Sequence, residues 1–277
     1  MTELTEQRAA DASRVALVGA AVGTAAALVL LAGRLAGPAL DSAVGSPRIV
    51  DVVLAVLGAL AAALAYRVAV RRVEGRPPEE LPGGGGEAFG TGVFITAGAM
   101  GAVLVVLWLL DVYLLPQDPP RWENAPLLIA TALFAAVGLQ LILQGCVLRG
   151  LERVAGTAAG VAASVALFAL AVALSGDARG SRAVLGAALG LGVVTACAYV
   201  AGRDLWLPIG LHFGYLLVEG MFVPAERGAG DGVLLGRLIG PPLLSGNGQI
   251  DASIALAVPL LVLGLGLVAR ARFAPEP

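Results

Sequence analysis

The stretch LQLILQGCVLRGLERV, Leu139 to Val154, decides how the chain is read. An apolar run of helical character meets Gln144 and Gly145, then, after three apolar residues, Arg149 and Gly150. A guanidinium at the edge of hydrocarbon is costly without a partner. The natural place for one, a turn earlier on the same face, holds Gly145. Glu152 at i+3 is the expected substitute, with snorkelling of Arg149 to lipid headgroups as the alternative.

The surrounding composition makes the hydrocarbon explicit. Of 277 residues, 58% are hydrophobic and 14% charged, with a mean hydropathy of +0.88. A soluble domain could not hide that much apolar surface, whereas a polytopic helical membrane protein has lipid to face it. The net charge of -2 gives no sign of nucleic-acid binding. All 18 basic residues are arginine, which reads as coding bias. Cys146 and Cys197 both fall inside apolar spans, where small buried thiols are expected rather than disulfides.

A membrane helix needs about 20 mainly apolar residues. Eight segments qualify: 14–34, 49–70, 91–115, 125–148, 157–175, 183–201, 205–223 and 251–269. The expectation is one all-α transmembrane bundle over 1–277, with a flexible linker at 71–90, RRVEGRPPEELPGGGGEAFG. Placing the N-terminus in the cytoplasm puts eleven of the 18 arginines there, including the cluster at 67–76. Both termini are therefore expected on the cytoplasmic side of the plasma membrane. The lack of internal repeats argues against a third reading, a small-molecule transporter built from duplicated halves.

Ionisable groups inside spans are functional candidates by default. They are Asp111, Arg149, Glu152, His212 and Glu219, with Gln140, Gln144, Thr195 and Tyr215 as neutral polar neighbours. His212 is the sole histidine. Glu219 follows it by seven residues, about 10 Å along a helix axis, too far for both to bind one ion.

The segment LWLPIGLHFGY (205–215), taken with Arg149–Gly150, resembles the CAAX protease and bacteriocin-processing (CPBP) family of intramembrane metalloproteases over roughly 125–270. That family carries the motifs EExxxR followed by Gly, FxxxH, and HxxxN or HxxxD, grouped around a water attributed to zinc. Here Arg149, Gly150, Phe168 and His212 match. The motif glutamates fall at Gln144 and Gly145, the second-motif histidine at Val172, and the third-motif Asn or Asp at Leu216. A catalytic zinc takes about three protein ligands from His, Asp, Glu or Cys, and Gln144 cannot act as a general base.

The resemblance therefore implies the family's fold with a degenerate site: no zinc, no hydrolysis, and a role in binding a membrane protein or an apolar peptide. The rival reading is an active protease that uses an unorthodox set of His212, Glu219 and Glu152, with zinc held weakly on His212.

Overall fold

The computed structural model describes residues 13–25, 27–29, 47–174, 182–222, 232–234, 236–245, 259, 260, 262–264 and 266. The architecture is an all-α membrane bundle. Helix α1 (Ser13–Val29) is followed by α2 (Pro47–Ala69), which continues into a π-helical turn at Val70–Glu74. Then come α3 (Gly86–Leu109), α4 (Ala125–Gln140), α5 (Arg149–Ala155), α6 (Thr157–Leu174), α7 (Arg182–Gly202), α8 (Trp206–Phe222) and the short α9 (Pro242–Ser245). A second π-helical segment, Leu141–Leu148, joins α4 to α5, so one continuous rod runs from 122 to 155.

Among the described residues, five helices are long and apolar enough to cross a membrane: Arg48–Glu74, Gly86–Leu109, Trp122–Ala155, Thr157–Leu174 and Leu185–Gly202. Helix α8, with 17 residues, is slightly shorter. The span expected at 251–269 lies largely outside the described residues, as does the end of the one expected at 14–34. Leu60, Leu64, Phe94 and Leu109 stand outward on these helices, as lipid-facing positions should in a bundle whose solvent is hydrocarbon.

Small residues set the closest packing. Helix α3 lies along α8, and a Cβ on Gly210 would stand 2.1 Å from the Phe89 carbonyl oxygen, one on Gly92 2.5 Å from that of Leu207. Backbones approach this closely only where side chains are missing. Thr96 seals the contact by donating to the Leu211 carbonyl at 2.8 Å. This packing fixes His212 on the inward face of α8, where it is buried.

The segment 71–90 departs from the loose linker expected from its Pro and Gly content. Residues 70–74 and 86–90 are helical, and the turn between them is pinned to the bundle. The Leu205 amide donates to the Glu80 carbonyl at 2.7 Å, the Trp206 indole donates to the Pro82 carbonyl at 2.8 Å, and Leu81 is buried. Apolar anchors and backbone bonds to α8 outweigh the local turn chemistry. A short antiparallel ribbon, β1 (Tyr113–Leu114) against β2 (Arg237–Leu238), ties the loop after α3 to the loop after α8.

Candidate functional site: an imidazole centre and a guanidinium centre on one rod

The motif residues separate into two centres along the 122–155 rod. The inner one surrounds His212. Its Nδ1 lies 3.1 Å from the Gln140 amide nitrogen, and the Phe168 ring packs on the imidazole at 5.2 Å between centroids. One turn on, the Gln144 amide donates to the Thr195 hydroxyl at 3.1 Å, and that hydroxyl donates back to the Leu191 carbonyl at 3.0 Å. Gln140, Gln144, Thr195 and His212 are all buried. Among the described residues Gln140 Oε1 and Gln144 Oε1 find no donor, an arrangement that costs on the order of 1–3 kcal/mol for each such atom.

Val172 and Leu216, at the second- and third-motif polar positions, pack against the apolar core beside this centre. Glu219 lies two turns along α8 from His212 and is half-buried. Glu152 belongs to the other centre. Among the described residues no three His, Cys, Asp or Glu side chains come together in a group that could hold a metal ion, so the set His212, Glu219 and Glu152 is not assembled. One imidazole, two amides and a hydroxyl do not fit a catalytic zinc, which needs anionic or imidazole donors in number.

The outer centre answers what partners Arg149. The expected ion pair with Glu152 is not formed. Arg149 instead donates to Glu80 through Nη1 and to Glu74 through Nη2, with side-chain exposures of 8%, 6% and 4% for the three. Both carboxylates come from the turn after α2 and the segment read as linker. Arg76 closes the cluster, donating to Glu74 through Nε at 2.7 Å and to Glu80 through Nη2 at 2.7 Å and Nη1 at 2.8 Å. Burial alone would lower the Arg76 pKa, but these bonds to Glu80 and Glu74 outweigh it and hold the guanidinium above its ordinary value. Glu152 is taken by Arg203, at 2.5 and 2.7 Å, and by the Thr157 hydroxyl at 2.6 Å. A buried guanidinium gains more from two desolvated carboxylates than from one at the rim, so the long-range pair displaces the local one.

Gly145 explains how Glu80 reaches Arg149. A Cβ at this position would stand 2.8 Å from the Tyr66 ring. The ring fills the space, its hydroxyl donates to Glu80 and lies 3.3 Å from the Gly145 carbonyl, and Arg149 Cζ sits 5.8 Å from its centroid. The widened π-helical turn carries both Gln144 and Gly145, and such turns recur at functional positions in helices. Sequence reading missed Tyr66, Glu74 and Glu80. The one signal available was an arginine that local spacing left without its expected carboxylate.

The fold is that of an integral, all-α membrane protein. The family model described as Rce1-like, type II CAAX prenyl endopeptidase, matches residues 121–218, a stretch holding Arg149, Phe168 and His212. The match supports membership of the CPBP family, as those residues implied. No curated protein and no solved structure matches the chain.

Proposed function

We propose that the protein is a catalytically degenerate CPBP member that acts by binding a membrane protein or an apolar peptide. The observation that carries this reading is the chemistry facing His212. Peptide hydrolysis needs an activated water, a base to deprotonate it and stabilisation of the oxyanion. Among the described residues, an amide and a phenyl ring are turned toward the imidazole, and the carboxylates of the outer centre are engaged by Arg149 and Arg76. The test is turnover of prenylated and leader-type peptides by the purified protein in detergent, beside a His212→Ala variant and with metal analysis of both. The expected result is no cleavage above the variant and no zinc near one equivalent. Chelator-sensitive cleavage lost with His212 overturns the reading.

The same proposal sets the protein in the plasma membrane with both termini cytoplasmic, on the strength of the arginine bias. Reporter fusions after Gly84 should read cytoplasmic and fusions at Gly230 extracytoplasmic; the reverse pattern excludes this orientation.

A further inference from the structure

Three helix ends meet at one edge of the bundle: Glu74 closing the π-helical turn after α2, Ala155 closing α5 and Gly202 closing α7. Between them lies a cavity of about 590 Å³ whose wall includes Arg76, Glu79, Arg153, Tyr199 and Arg203. Because these residues terminate or follow membrane-spanning helices, the cavity sits at the depth of lipid headgroups rather than of acyl chains.

Most of its charge is already neutralised. Glu74 and Glu80 are matched by Arg76 and Arg149, and Glu152 by Arg203. Two rim groups remain. Arg153 reaches Glu74 only at 3.5 Å and is 34% exposed. Glu79 is exposed, and among the described residues it takes part in no ion pair. A rim with one under-used cation and one under-used anion is complementary to a zwitterion.

Arg203 stands on the same wall, just past the end of α7. It adopts φ 52°, a left-handed conformation that a bulky residue takes only at a cost. Gly202, immediately before it, is the residue type that ends helices in this way freely. The strain is held by the bidentate grip on Glu152 and by Tyr199, whose ring centroid lies 5.9 Å from Arg203 Cζ. Its N–H donors serve Glu152 twice and Tyr199 as well, and the guanidinium's five donors are not exhausted by these.

We propose that this cavity seats a zwitterionic headgroup bearing a phosphate and a primary amine. The phosphate rests on Arg153 and the spare donors of Arg203, and the ammonium on Glu79. Guanidinium forks match phosphate oxygens, and a primary ammonium donates hydrogen bonds to a carboxylate where a quaternary one has none to give. Phosphoethanolamine is that chemistry, carried either by a membrane phospholipid or by a soluble ester. Such a site does not depend on the loss of hydrolysis.

The experiment is native mass spectrometry of the full chain released from nanodiscs containing phosphatidylethanolamine, phosphatidylglycerol or phosphatidylcholine, with glycerophosphoethanolamine as soluble competitor. The unaltered protein should retain phosphatidylethanolamine at least tenfold better than either other lipid. Arg153→Gln should lose that retention, and Glu79→Gln should lose the preference over both phosphatidylglycerol and phosphatidylcholine. Displacement by glycerophosphoethanolamine supports recognition of the headgroup itself. Binding of glycerophosphoethanolamine without retention of the lipid supports the same chemistry and assigns it to a soluble source. Equal retention of all three lipids by the unaltered protein, with no binding of the soluble ester, overturns the proposal even if a variant fails to fold.

Discussion

The two centres are neighbours on one rod, with Gln140 and Gln144 nine and five residues before Arg149, and they solve the same problem in opposite ways. Around His212 the polar groups are neutral amides and a hydroxyl, and two amide oxygens find no donor among the described residues. Around Arg149 the groups are guanidinium and carboxyl side chains with the Tyr66 hydroxyl, and each carboxyl accepts from more than one arginine. Depth separates them. Among lipid-exposed helices, charge is costly and amides need only hydrogen bonds, whereas at a helix end a folded-back segment can bring counter-charge from a distance. The arginine centre draws its carboxylates from the segment after α2, while among the described residues no carboxylate hydrogen-bonds the histidine centre.

The largest expected effect tests the charged centre. Arg149→Met should destabilise the protein by about 3–5 kcal/mol, because it strands buried Glu74 and Glu80 with Arg76 as their remaining main cation. Thermal unfolding in detergent reads this, and a loss below about 1 kcal/mol would mean that the cluster is far wetter than its burial indicates. Gly145→Ala comes next. Its new methyl meets the Tyr66 ring, so a loss of roughly 1–3 kcal/mol is expected despite better helix propensity. The same substitution in a Tyr66→Leu background should be relieved of that loss; equal cost in both backgrounds breaks the link between the ring and the glycine. The smallest effect belongs to the neutral centre. Gln144→Met removes one hydrogen bond to Thr195 together with one unsatisfied oxygen, and these offset to within about 1 kcal/mol. A larger loss would show that the amide oxygen has a donor after all, and the contrast between the centres would narrow.

Much of the bundle was legible because apolar runs of span length are stable in few settings besides hydrocarbon. Phe168, singled out in the sequence only as a motif match, lies on His212. What stayed hidden has a common cause. Arg149 was paired by local periodicity with Glu152, but a buried guanidinium is governed by desolvation, and its partners lie 69 and 75 residues away. RPPEELPGGGG carries every local mark of a loose connection, and only tertiary anchors at Leu81 and Trp206 turn it into a carrier of carboxylates. The π-helical turns have no sequence signature at all, yet one of them positions Gln144 and Gly145.

The Tyr66 ring beside Gly145 also gives the molecule a direction in sequence space. A glutamate placed at 145 would collide with an aromatic ring whose hydroxyl is already bonded to Glu80, so that change requires residue 66 to shrink first. That earlier step removes a hydrogen bond from a buried carboxylate and is itself unfavourable. Each single change therefore leads downhill in fitness for folding, although the pair together need not. Tyr66 works as a block: the ring packed against Gly145 closes the one-step path to a carboxylate at that position.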